Sequence, residues 1–259
     1  MTLIHIAGPA GFLHVDDGGS GDLAVVFVHA FSGNTTHWSA QLEHLRKKRR
    51  AVALDLRGHG FSQPPPDGDY RMDSMAGDID AIVNKIGLPK FILAGHSMGG
   101  SVAIAYAGLH PERIAGLLLV DTGDARQIPE SQKQQYIIAL ESDAYADVME
   151  GYFNQILTGS VPGVRAKVIQ EIRIMPKEMA LSLIKEQFRY DPLPALTRYH
   201  GPRLAVVTPA NDMPYSLHNL VPDLPHVVVT GTGHWIQLDK PEEFNRILDE
   251  FLYRVDTGK

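Results

Sequence analysis

The sequence predicts an α/β fold: a mostly parallel sheet covered by helices on both faces, with one helical insertion. Two observations carry this. From Ala24 to Asp121, short unbroken apolar runs alternate with amphipathic stretches, and strands buried on both faces read as such runs. From about Thr122 to Arg198 no convincing strand appears, and the alternation then resumes.

In chain order, "DDGGSGD" (Asp16 to Asp22) reads as a hairpin or loop tip between strands. "AVVFVHA" (Ala24 to Ala30) is a buried, valine-rich strand, and "TTHWSAQLEHLRKK" is a helix. "RAVALDL" (Arg50 to Leu56) is a strand. "MDSMAGDIDAIVNKIG" is a helix with Met75, Ile79, Ile82, Val83 and Ile86 on one face and Gly87 at its end. "KFILAG" is a strand, "GGSVAIAYAGLHP" a helix stopped before Pro111, and "IAGLLLVD" (Ile114 to Asp121) a strand. The insertion holds two helix-like stretches rich in Met, Ile, Leu and Tyr, "ESQKQQYIIALESDAYADVMEGYFNQIL" and "VRAKVIQEIRIMPKEMALSLIKEQFRY". "RLAVVT" (Arg203 to Thr208) and "HVVVTG" (His226 to Gly231) are strands, and "KPEEFNRILDEFLYRV" is a last helix.

Composition narrows the function. A net charge of −6 over 259 residues gives no pull towards nucleic acid. The basic run "RKKRR" (Arg46 to Arg50) reads as a solvated helix C-terminus. There are no cysteines, which removes disulfides, thiolate catalysis and cysteine-ligated metals, and suits a reducing compartment. The N-terminus does not have the pattern of a signal peptide, and no apolar run is long enough to span a membrane. The expectation is a cytoplasmic monomer or small homo-oligomer that needs no metal or cofactor and contacts neither nucleic acid nor membrane.

"GHSMG" (Gly95 to Gly99) matches G-x-S-x-G between a strand and a helix. That turn strains Ser97, exposes its hydroxyl and aims a helix N-terminus at it. An ordinary N-cap serine is the plainer alternative. A serine needs a base, and His234 in "GTGHW" follows a strand at the sheet edge. The base needs a carboxylate. Asp212 in "PANDMP" follows the preceding strand and is the first choice; Asp121, ending "LLLVD", is the rival. Backbone N–H groups of Phe31 and Met98 are the expected oxyanion donors. His29 reads as a brace for its loop, and Arg57 as a structural turn residue.

Together, "VFVHAFSGNTTHW", "ALDLRGHGFSQPP", "AGHSMGGSVAIAYAGLHPERI", "PANDMP" and "GTGHWIQLDKPEEF" resemble the α/β-hydrolase superfamily. The resemblance implies an eight-stranded, mostly parallel sheet with a helical cap after the sixth strand. Residues 1–121 and 199–259 would then form the core, and 122–198 the cap. Two departures stand out. His29-Ala30 replaces the usual His-Gly, placing a methyl group beside the oxyanion donors. The spacing from Asp212 to His234 is short, which implies a trimmed last crossover helix. The "HWIQLDKPEE" tail is similar to that of epoxide hydrolases, but those use an aspartate where Ser97 stands.

Serine fits acyl transfer, so the expected activity is hydrolysis of small to medium, mainly apolar carboxylic esters. Trp38, Tyr136, Tyr145, Met149, Phe153 and Trp235 are the candidate substrate-binding residues, and packing of the cap is the alternative for those within it. No arginine or lysine is clearly placed for a substrate carboxylate, which favours neutral esters. Lactones, C–C bond cleavage and perhydrolysis remain open on the same triad, as does a slow-turnover ligand receptor.

Overall fold

The valine-rich runs form the centre of an eight-stranded sheet in the order β1-β2-β4-β3-β5-β6-β7-β8. The structure is a computed structural model and describes residues 2–258. The strands are β1 (Thr2–Gly8), β2 (Gly11–Gly18), β3 (Ala24–Val28), β4 (Ala51–Leu54), β5 (Phe91–His96), β6 (Ile114–Val120), β7 (Arg203–Val207) and β8 (His226–Val228). β1 and β2 form an antiparallel hairpin joined antiparallel to β4, and all later pairings are parallel. β2 runs on through Gly18, so the expected loop starts only at Gly19.

The period-two alternation of a strand divides the core. Val25 and Phe27 pack with Trp38 and with Phe244, Leu248 and Phe251 on one face of the sheet. Val26 and Val28 face the other side with Met75, Ile79, Val102 and Tyr106. The first face is covered by α1 (Ser39–Leu45) and by α11 (Pro241–Thr257), the second by α2 (Met72–Lys85) and α3 (Met98–Leu109). On α11 the buried residues Phe244, Leu248, Phe251 and Leu252 recur at helical spacing. Each contributes roughly 1.5–3 kcal/mol by leaving water.

Between β6 and β7 lie α4 (Glu130–Glu141), α5 (Tyr145–Ile156), α6 (Pro162–Arg173), α7 (Lys177–Arg189) and α8 (Leu193–Arg198). Both long helix-like stretches of the insertion divide in two. The first breaks at Ser142, whose hydroxyl accepts the Ala144 N–H, and the second at Pro176. After β7 come the short α9 (Leu217–Leu220) and, beyond β8, α10 (Ile236–Asp239). α9 is the trimmed crossover that the short spacing implied.

The basic run is a fastening rather than a solvated end. Arg46 pairs with Asp16 at 2.8 Å, Arg50 with Asp17 at 2.6 Å, and Arg49 with Asp256, so the end of α1 is tied to β2 and to the last helix. Arg57 makes a buried two-pronged ion pair with Asp78 at 2.6 and 2.7 Å and donates to the carbonyls of Asp69 and Ser74.

A half-buried acid joins the insertion to the sheet domain. Glu171 on α6 accepts from His37 Nε2 at 2.7 Å and Asn34 Nδ2 at 3.0 Å, and pairs with Lys167 at 2.8 Å. Burial alone would push its carboxyl up, but the His37 and Lys167 contacts outweigh burial and hold it below the usual range. A depressed carboxyl stabilises the fold above its unfolded-state pKa, and this is lost as pH falls through the folded-state pKa. Glu171→Gln should therefore cost about 1–3 kcal/mol at neutral pH. Denaturant titrations should show that difference closing as pH falls below the ordinary glutamate range.

Candidate active site

β5 ends at His96 and α3 begins at Met98, so Ser97 alone makes the turn. It is held at φ 53° and ψ −117°, which non-glycine residues rarely adopt, and its N–H donates to the Val120 carbonyl at 2.8 Å. The flanking glycines are steric necessities. A Cβ on Gly95 would lie 2.3 Å from the Gly99 carbonyl oxygen, and one on Gly99 would lie 2.3 Å from the His29 carbonyl oxygen. Backbone cannot move aside as a side-chain tip can, so Gly99→Ala should cost about 3 kcal/mol, the upper end for overpacking. Thermal unfolding would measure it; an unchanged Tm contradicts the account of this turn.

Ser97 lines a cavity of about 320 Å³, as do His234, Phe31 and Ala30. Among the described residues, neither the Phe31 N–H nor the Met98 N–H donates to a protein acceptor. Met98 is the first residue of α3, where an N–H has no partner within the helix. His29 does brace this loop. Its Nδ1 donates to the Ala30 carbonyl at 2.7 Å, and its Nε2 accepts the Leu56 N–H at 3.0 Å. Complete burial, reinforced by His59, pushes its pKa far down, which fixes it as a neutral linker.

His234 sits between β8 and α10, and its Nδ1 donates to Asp121 Oδ2 at 2.7 Å. The first-choice acid is thus not the partner: Asp212 does not reach His234. Asp121 is 2 % exposed and follows β6, at φ 48°. Its carboxylate also accepts the Thr208 N–H at 2.9 Å and the Thr208 hydroxyl at 3.0 Å. Thr208 is the residue after β7, so that loop folds over Asp121 and carries Asp212 outward. Asp212 instead accepts from Asn219 Nδ2 at 2.7 Å and His218 Nε2 at 3.0 Å, and those bonds hold its carboxyl below the usual range. No hydrogen bond joins Ser97 Oγ to His234, but both line the same cavity.

Two further groups fix the His234 loop, and neither is marked by a sequence motif. His96 Nε2 donates to the His234 carbonyl at 2.9 Å, while its Nδ1 accepts from Gln237 at 3.1 Å. Burial, with a contribution from His234, pushes the His96 pKa far down, so it is neutral. Asp239 accepts from Thr232 Oγ1 at 2.8 Å and the Gly233 N–H at 3.0 Å, and also from Ser160 Oγ and the Val161 N–H, both at 2.9 Å. One carboxylate therefore binds the histidine loop to the α5–α6 turn. The His234 N–H adds a bond to the Ile156 carbonyl at 3.0 Å.

Of the candidate substrate-binding residues, Tyr136, Met149, Phe153 and Trp235 line the cavity. Trp38 does not. It is fully buried beneath the sheet between Phe27 and Phe244, with ring centroids at 4.7 and 6.0 Å, because its helix packs on the opposite face. Tyr145 also lies outside, in a separate groove with Ile169 and Ile172, its ring beneath Lys177. The cavity gains Tyr152, Phe188, Gln132, Gln187 and Lys133, the last a cation that no sequence signal places there. Among the described residues, no group of three His, Cys, Asp or Glu is placed to hold a metal ion, and no helix is long and apolar enough to cross a membrane.

Comparison with known proteins decides the family. A family model described as the alpha/beta hydrolase fold matches residues 24–241. The chain belongs to the α/β-hydrolase family. This hydrolase is 29% identical to a thermophilic esterase from Thermogutta terrifontis, with a TM-score of 0.85 over 98% of this chain and 99% of that one. It is 26% identical to an sn-1-specific diacylglycerol lipase of Mus musculus, over 88% of this chain and 80% of the lipase. It is 30% identical to the dihydrolipoyllysine-residue acetyltransferase component of an acetoin cleaving system from Pseudomonas putida, over 91% of this chain. The match spans only 65% of that longer protein.

Proposed function

We propose that this α/β hydrolase cleaves carboxylic esters with small to medium, mainly apolar chains through Ser97, His234 and Asp121 and a Ser97 acyl-enzyme. The observation that carries the reading is the 2.7 Å bond from His234 Nδ1 to the buried Asp121, with Ser97 and His234 on one cavity. With its Nδ1 proton committed to Asp121, the imidazole keeps the Nε2 lone pair free for the Ser97 proton. Ser97 Oγ then attacks the ester carbonyl, and the free N–H groups of Phe31 and Met98 receive the oxyanion. The imidazolium returns its proton to the leaving alcohol. Water, deprotonated by His234, then releases the acid.

Helical residues 122–198 act in this reading as a cap: they supply much of the cavity wall and, through Asp239, support the histidine loop. The esterase from Thermogutta terrifontis favours ester chemistry over the other reactions available to such a triad. The test is steady-state hydrolysis of p-nitrophenyl acetate, butyrate and hexanoate. Sustained turnover supports the reading. Release of one equivalent without turnover would instead mark a ligand receptor.

A further inference from the structure

The wall of the cavity that holds Ser97 carries, among the described residues, a single formal charge. Among the described residues, Lys133 is its only lysine or arginine, and no Asp or Glu lines it. The Lys133 side chain is 12% exposed, so most of it is withdrawn from water. It pairs with Glu130 at 2.8 Å and approaches the Arg126 carbonyl at 3.4 Å. An ammonium has three donors, and these contacts use two. The Glu130 side chain is 70% exposed, a solvent-screened partner that holds Lys133 only weakly.

Two amides accompany it. Gln132 on α4 and Gln187 on α7 line the cavity, and among the described residues their side chains have no hydrogen-bond partner in the protein. The Tyr136 hydroxyl, kept protonated by burial, makes only a 3.9 Å approach to the Met149 sulfur. This polar group comes entirely from insertion helices, while Ser97, His234 and Phe31 come from the sheet domain. The rest of the lining is apolar or aromatic, including Phe153, Ile156, Ile184 and Phe188.

We infer that the preferred substrates are esters whose apolar chain ends in a carboxylate, received by Lys133 with Gln132 and Gln187 while Ser97 attacks the ester carbonyl. This rests on the reading of Ser97 as nucleophile. It replaces the neutral esters favoured from the sequence with monoesters of dicarboxylic acids or acyl esters of hydroxy acids. A largely buried lysine side chain with a donor to spare, and no carboxylate in the wall, selects an anion and disfavours a cation.

Two matched pairs test it: the p-nitrophenyl monoester of adipic acid against p-nitrophenyl hexanoate, and 4-acetoxybenzoate against phenyl acetate. The quantity read is the ratio of kcat/KM, anionic over neutral, for the wild type, Lys133→Met and Gln187→Leu. In at least one pair the wild-type ratio should exceed unity by about 10- to 100-fold, as for a charge-assisted contact. Lys133→Met should collapse it, and Gln187→Leu should lower it less. Ratios at or below unity in both pairs overturn the inference. A ratio unmoved by Lys133→Met also does, even if both rates fall, because that marks a structural lysine. Ser97→Ala separates the two levels: if it leaves either ester hydrolysed, the nucleophile assignment fails rather than the selectivity.

Discussion

Asp121→Asn should lower kcat for ester hydrolysis by about 10⁴-fold, the loss expected when a triad carboxylate becomes an amide. Asp212→Asn should leave kcat within about threefold, as for a surface substitution. The contrast follows from what each carboxylate touches. Asp121 accepts the Nδ1 proton of His234 while Thr208 holds it from the other side. An asparagine there can still accept from Thr208, but it presents its NH2 to His234. The ring must then carry its proton on Nε2, where it cannot take one from Ser97. The exposed Asp212 carboxylate accepts from His218 and Asn219 and does not reach the cavity. Steady-state kinetics on the two variants, with circular dichroism to check folding, decides the matter. Collapse in Asp212→Asn with an active Asp121→Asn would reverse the assignment.

Ser97→Ala should lower kcat by about 10³- to 10⁶-fold and leave Tm nearly unchanged. The small stability effect has a structural reason: among the described residues the Ser97 hydroxyl has no hydrogen-bond partner, so its removal leaves none unsatisfied. Ser97→Gly should be equally inactive yet more stable, by about 1–2 kcal/mol, because glycine accepts φ 53° without strain. Measuring kcat and Tm on both variants tests the strained turn and the nucleophile together. An inactive but destabilised Ser97→Gly would argue against stored strain at this position.

The strands and the long helices are legible because their signal is local. Val25 to Val28, Leu93 and Leu117 to Leu119 are apolar on both faces, and the periodicity of α2 and α11 is strong. The elbow is legible for the same reason, since Gly95, Ser97 and Gly99 lie within five residues. The acid is a matter of tertiary geometry. Asp121 and Asp212 both follow strands at the same sheet edge, and only the path of the loop after Thr208 separates them. The position of Asp121 at the end of "LLLVD" and the short spacing from Asp212 to His234 are the sequence signals that keep Asp121 in view. Trp38 misleads because proximity in sequence to the Phe31 loop does not fix which face of the sheet its helix covers. Lys133 and Asp239 are invisible for a related reason: their importance lies in what other segments bring to them.

The most direct test is pre-steady-state hydrolysis of p-nitrophenyl butyrate, with intact-mass analysis of samples quenched in acid. The account predicts a burst of p-nitrophenol of up to one equivalent per active site, then steady turnover. A butyryl adduct should map to the peptide containing Ser97 and be absent from Ser97→Ala. Turnover with no adduct at Ser97, or an adduct on another residue that persists in Ser97→Ala, would contradict it.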